Sequence, residues 1–206
     1  MRRYRLTSSE KGPVKLFVGG LHGDEGLYTA PILERLTREG VSAGEVIIVP
    51  CLVENSKYIG VLTEEYYRSE AGMHLLQLIQ EYKPSFYFEL HAYEKQSHAR
   101  LTDPERVNKI GVPPFVDFGD GILIGSIAPI LRNKFTEHDF CMTIEVPKWS
   151  CEREAIKEQV LAILRIGLTN SQREEMMREF RTRYPSQIKK AEKLFYQYYR
   201  HRLKPF

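Results

Sequence analysis

The sequence predicts an α/β fold: a sheet of mixed strand direction with helices packed on it, continuing into helices at the C-terminus. Three observations lead there. Through about residue 150, short apolar runs alternate with stretches whose apolar residues recur at helical spacing. One run, residues 46–50, is continuously apolar, the pattern of a strand buried on both faces in a parallel sheet. Beyond residue 150 the strand signal stops and only helical periodicity remains.

The elements follow in order. Residues 2–7 and 14–18 read as two strands, because Gly12 and Pro13 break regular structure between them while Ser8, Ser9 and Glu10 favour solvent. A loop follows Gly19 and Gly20. Ala30, Ile32, Leu33 and Leu36 then share a helical face, and Gly40 is the residue expected just past the helix end. After the 46–50 strand, a second helix is expected over 63–82, with Thr63 as N-cap and Met73, Leu75, Leu76 and Ile79 facing inward. Pro84 ends it, and residues 86–90 form another buried strand. Residues 92–120 hold three prolines and few periodic apolar positions, so they read as long functional loops. Strands over 122–124 and 141–146 complete the sheet. Ala155, Ile156, Val160, Ile163 and Leu164 mark one amphipathic helix. Met176, Met177, Phe180, Ile188, Leu194 and Tyr198 mark one or two more, divided near Tyr184 and Pro185. The expected organisation is an α/β domain over 1–150 and a basic helical extension over 151–206, packed on or beside it.

Composition excludes several classes. With 42% hydrophobic and 28% charged residues over 206 positions, the chain is long enough to bury a core and too apolar to be disordered. No stretch approaches the roughly 20 apolar residues of a membrane span, and the basic N-terminus has no apolar segment behind it. Cys51, Cys141 and Cys151 show no CxxC spacing, which argues against disulfides and thiolate metal sites and fits a reducing cytoplasm. Net charge +3 is too mild to imply nucleic acid, but it is unevenly spread. Residues 152–206 carry 13 Lys and Arg against 7 Asp and Glu, a net +6, so the preceding portion is −3.

Three segments carry groups able to do chemistry. His22 and Glu25 lie in a glycine-flanked loop where a strand gives way to a helix, His91 ends a buried strand, and Glu145 lies near the end of another. In an open α/β sheet, ligands collect outside the carboxyl ends of the strands, so these groups can converge. Two imidazoles and a carboxylate are the ligand set of a catalytic zinc with one position left open. A separate carboxylate must then move the proton of the attacking water, and Glu145 is the candidate, sharing a strand face with Thr143. Singly, each has a plainer reading: His22 a loop residue, Glu25 an acid at a helix start, His91 a hydrogen-bonded strand-end histidine, Glu145 an ion-pair residue. In combination and in order they favour the metal site. His74, His98 and His138 lack such spacing.

The segments Gly-Leu-His22-Gly-Asp-Glu25, Glu89-Leu-His91-Ala-Tyr93 and Ile144-Glu145 resemble the three signatures of the zinc metallocarboxypeptidases and of the succinylglutamate desuccinylase and aspartoacylase enzymes. The resemblance spans roughly residues 14–150. It implies a three-layer α/β/α fold of phosphorylase/hydrolase type with a mainly parallel sheet. It also implies Zn2+ held by His22, Glu25 and His91, Glu145 as general base and acid, and Glu89 as a carboxylate backing His91. The implied substrate is a small peptide or an N-acyl amino acid, whose carboxylate is clamped by arginine in the family.

Here the family's Asn-Arg pair is absent and Tyr67-Arg68 stands in that region. Arg68 is therefore the candidate clamp, supplemented by Asn55 and Lys57, with Arg132 and Lys134 weaker and Tyr93 a pocket-lining candidate. Carboxypeptidase and deacylase chemistry both stay open. So does a protein of this fold that binds metal without catalysis, which the missing pair would suit. A third reading, nucleic-acid binding by the basic run from Arg178 to Lys204 with interleaved aromatics, competes with docking of the same residues as helix faces.

Overall fold

The computed structural model describes residues 1–200 and 203–206. Its sheet has seven strands: β1 (Tyr4–Thr7), β2 (Val14–Gly19), β3 (Glu45–Val49), β4 (Phe86–Tyr93), β5 (Val116–Asp117), β6 (Leu123–Gly125) and β7 (Phe140–Pro147), in the order β1-β3-β2-β4-β7-β6-β5. The four central strands β3, β2, β4 and β7 run parallel. β1 at one edge, and β6 and β5 at the other, run antiparallel. The mixed, mainly parallel α/β sheet is as expected. Parallelism matters for the site because it brings the carboxyl ends of β2, β4 and β7 side by side.

Helices cover both faces. On one side, α1 (Gly26–Leu36), α7 (Glu154–Thr169), α8 (Arg173–Arg183) and α9 (Pro185–Tyr199) bury Ile32, Leu33, Ile163, Phe180 and Ile188 against Phe17, Phe88 and Met142 of the strands. On the other, α2 (Glu64–Arg68) and α3 (Glu70–Tyr82) cover Leu16, Val18, Tyr87 and Cys141. Alternate strand residues feed the two cores, as the pleat requires. Lys15 is an exception, fully buried with its Nζ donating to the carbonyls of Leu168 and Asn170 at the end of α7. It neutralises carbonyls that the helix leaves without partners.

Three sequence expectations change. The helix expected over 63–82 is two helices broken at Ser69, whose extended backbone (φ −73°, ψ 165°) and side chain cap α3 by accepting from Gly72 N. Gly72 packs so close to the Tyr66 carbonyl that no Cβ fits. Met73 is 55% exposed, and the inner face of α3 is formed by Ala71, Leu75, Leu78 and Ile79. The expected loops over 92–120 contain a 3-10 turn (Lys95–Ser97), α4 (His98–Leu101), α5 (Arg106–Ile110) and β5, while α6 (Pro129–Arg132) follows β6. These elements are too short to declare themselves by periodicity. Helix α1 ends at Leu36, short of Gly40.

Candidate metal centre

The site is built at the carboxyl edge of β2, β4 and β7. After β2 the chain turns through Gly20 and Gly23, whose φ values of +59° and +60° suit glycine, and enters α1 at Glu25. Gly26 packs against the Cys51 Sγ with no room for a Cβ. The compact turn sets His22 and Glu25 on one side, and β4 brings His91 opposite. Register pairs His91 directly with Glu145 of β7.

His22, Glu25 and His91 are buried and each offers one donor atom, all within 4.8 Å of one another. His91 Nδ1 lies 3.2 Å from Glu25 Oε1, and His22 Nδ1 lies 3.6 Å from Glu25 Oε2. Neither His22 Nδ1 nor Glu25 Oε2 has a hydrogen-bond partner. Buried polar atoms are nearly always satisfied, so a converging unsatisfied set is what a cation would complete. Glu25 Oε1 also accepts from Ala92 N at 3.3 Å, fastening the α1 start to β4.

Behind His91, Glu89 is locked by Tyr87 Oη (2.8 Å) and Thr143 Oγ1 (2.7 Å), with Glu89 Oε1 3.5 Å from His91 Nε2. Burial works against ionisation of Glu89, but His91 and the two hydroxyls hold its carboxyl below the usual range. Burial also opposes a charge on His91; Glu25 and Glu89 outweigh it and raise the imidazole well above its ordinary value. His22 goes the other way. Burial pushes it down to about 4, leaving a neutral imidazole fit to ligate. Burial pushes Glu145 up to about 7, against the pull of His91.

These groups open into a cavity of about 620 Å³. Glu89 and Tyr93 also line it, the Tyr93 hydroxyl being tied to the Gly121 carbonyl at 2.6 Å. Three proposed substrate contacts are displaced from it. Arg68 is exposed, since Tyr66 and Tyr67 take the buried side of α2. Asn55 is exposed and borders a separate, smaller cavity of about 330 Å³, and Lys57 faces solvent on the same loop. Arg132 is buried but donates to the carbonyls of Thr136 and Asp139, and Lys134 is exposed.

Other residues line the cavity instead. Arg106 is 8% exposed, lines the cavity and lies over the Phe115 ring at 4.8 Å. Its Nη1 donates to the Pro113 carbonyl at 2.7 Å, while its Nε has no partner. Lys148 bridges Asp24 (2.6 Å) and Glu94 (3.2 Å), joining the ends of β7, the ligand loop and β4. Tyr58 sets its ring edge-on to His22, centroids 4.5 Å apart. Tyr199 of α9 reaches the cavity wall. None carried a motif. Arg106 sits among Asp, Glu, Asn and Lys, a composition that reads as a solvated face.

An α/β protein with a buried His-Glu-His cluster and a carboxylate at the carboxyl edge of its parallel strands is the class that fold and site define. The chain belongs to the family described as an uncharacterized protein conserved in archaea (DUF2119), whose model matches residues 10–200. It is 46% identical over 184 residues to the "Uncharacterized protein MJ0501" of Methanocaldococcus jannaschii, covering 88% of this chain and 89% of that one. Among solved structures it is similar to an aspartoacylase family protein of Mesorhizobium loti (TM-score 0.48, 14% identity, 82% of this chain). It is likewise similar to a metallo-carboxypeptidase of Pseudomonas aeruginosa (TM-score 0.48, 11% identity, 84% of this chain). The chain spans 62% and 61% of those two structures' lengths. Similarity at this level assigns no activity to it. Among the described residues no helix is long and apolar enough to cross a membrane.

Proposed function

We propose that this chain is a metal-dependent hydrolase of C–N amide bonds, with zinc as the ion and a small peptide or N-acyl amino acid as substrate. The observation that carries the reading is the convergence of three buried donors, each with an unpartnered atom, and Glu145 on one cavity. Two imidazoles and one carboxylate suit zinc, which when bound supplies Lewis acidity toward a carbonyl and makes water more acidic.

The chain's own groups do the rest. Glu145 accepts a proton from the attacking water as the C–O bond forms, and returns it to the nitrogen as the C–N bond breaks. A carboxylate held near 7 suits both steps. Glu89 fixes the His91 ring through two hydroxyl bonds of its own. Arg106 replaces the expected Arg68 as the clamp: its guanidinium is pre-oriented by Phe115 and Pro113, and it can pair a substrate carboxylate. Lys148 serves structure at the cavity mouth, being occupied by Asp24 and Glu94.

The test is metal content together with turnover. Purified full-length chain should hold one zinc equivalent after dialysis and hydrolyse members of a panel of dipeptides and N-acyl amino acids. Glu145→Gln should keep the zinc and lose turnover by about 10²–10⁴-fold. A zinc-loaded protein inactive over the whole panel would refute catalysis and leave a metal-binding protein.

A further inference from the structure

We infer that the substrate of this site carries one carboxylate and a bulky apolar side chain, as in an N-acyl phenylalanine or leucine or a dipeptide ending in one of them. The inference rests on the reading of the site as an amide hydrolase and adds the class of substrate.

Beyond the His-Glu-His cluster, the cavity wall away from the sheet is apolar. It is made by Leu101, Ile110, Val112, Phe115, Ile127 and Ala128, drawn from α4, α5, the segment into β5 and the segment after β6. Five of the six are at most 8% exposed and Ile127 and Ala128 belong to a core cluster, so the wall is anchored from behind. Its outer edge is not covered. Ile110 is 42% exposed and Tyr58, which also lines the cavity, 66%. The Tyr198 hydroxyl of α9 holds the Gly111 carbonyl at 2.7 Å, fixing the turn that presents Ile110 and Val112. A preformed apolar wall with a few convergent polar groups is the usual form of a small-molecule site, and about 620 Å³ accommodates an amino-acid derivative with an aromatic side chain.

Charge complementarity limits the rest of the ligand. Three cations line the cavity: Lys148 is consumed by two carboxylates, Arg100 is exposed, and Arg106 is buried, feels the charge of Glu145, and has no carboxylate within ion-pair distance among the described residues. One buried guanidinium answers one carboxylate. A second carboxylate, as in an aspartyl or succinyl group, would be pressed on the apolar wall with its charge unpaired.

The experiment measures binding and turnover separately. Equilibrium binding of N-acetyl-phenylalanine, N-acetyl-glycine and N-acetyl-aspartate to the zinc-loaded full chain carrying Glu145→Gln should rank phenylalanine at least 10-fold tighter than either of the others. In the active chain the same order should appear in kcat/KM. Ile110→Asp, a change at a 42% exposed position, should cut the phenylalanine-to-glycine ratio by 10-fold or more. Tightest binding of the aspartate derivative, or a ratio that Ile110→Asp does not move, overturns the inference. Apolar preference in binding without turnover of any compound supports the inference while overturning the hydrolase reading.

Discussion

Glu25→Gln is the sharpest perturbation of the proposed metal centre. The amide keeps the shape of the carboxylate, and its oxygen can still accept from Ala92 N, the bond that ties α1 to β4. The fold should therefore persist, with metal-free melting temperatures of the two proteins agreeing within about 4 °C, about 1 kcal/mol for a domain of this length. What goes is the anionic donor that faces both imidazoles, 3.2 and 3.6 Å away. Zinc at 1,000 times its dissociation constant stabilises a native state by about 4.1 kcal/mol, or about 8–16 °C in Tm. Changing a group that merely supports a ligand weakens metal binding by about 10–100-fold. Losing a ligand costs at least the upper end of that range. At the same zinc concentration the variant is then stabilised by no more than about 1.4 kcal/mol, or about 3–6 °C. Thermal unfolding of dialysed protein with and without zinc reads the difference directly. Equal zinc shifts in both proteins, or none in the native chain, would refute the assignment of His22, Glu25 and His91.

Four further outcomes follow from the same structure. Arg106→Ala should raise KM for carboxylate-bearing substrates by at least 10-fold with a smaller effect on their amidated forms, measured by initial rates; a uniform loss would make Arg106 structural. Because Glu145 must be ionised to accept a proton, kcat/KM should climb with pH along a limb centred at or below 7, since burial sets about 7 and a bound dication lowers it. Gly26→Ala should destabilise by about 1–3 kcal/mol through collision with the Cys51 Sγ, and Cys51→Ala in the same chain should recover most of that in denaturant titrations. Burial lowers Lys15 to about 8, below its unfolded value, so the unfolded chain binds more protons between those limits. Native stability relative to Lys15→Met should thus rise with pH from about 8, by at most about 3 kcal/mol, and a flat difference would sink that account.

What the sequence disclosed of this site follows from how each residue is positioned. His22 and Glu25 are set by a local turn that glycines announce, and His91 and Glu145 by strands whose apolar neighbours announce them. Those four are legible because local chain geometry places them. Arg106 is placed by tertiary packing: a five-residue helix lays it over Phe115, nine positions on, and under the cavity rim. Nothing in Arg-Val-Asn-Lys-Ile marks one arginine as buried. Arg68 fails for the complementary reason, since Tyr66 and Tyr67 occupy the inward side of so short a helix. The break at Ser69 was hidden because Ser-Glu-Ala-Gly continues the helical apolar spacing. The turn depends on Gly72, whose lack of a Cβ permits the close approach to the Tyr66 carbonyl.

The charge division along the sequence also takes on a physical meaning. The −3 portion holds the carboxylates of the proposed metal centre, and the +6 portion holds none of its candidate donors. The basic portion nevertheless reaches the site through its apolar and aromatic residues. Phe195 is buried, Tyr198 is bonded to Gly111, and Tyr199 reaches the cavity wall, where burial pushes its hydroxyl up to about 12. Phe195 and Tyr199 are thus engaged within the fold, the alternative that competes with base stacking for these residues. Apart from Arg173, which is half-buried and donates to the Pro205 and Phe206 carbonyls, the lysines and arginines of α8 and α9 lie on the solvated side left over once those faces are docked, Arg181 pairing with Glu192 and Arg183 with Glu179. If α9 buttresses the cavity, Tyr198→Phe should loosen the Gly111 turn and raise KM for apolar substrates several-fold while leaving zinc affinity unchanged. An unaltered KM would mean that the turn holds its shape without α9.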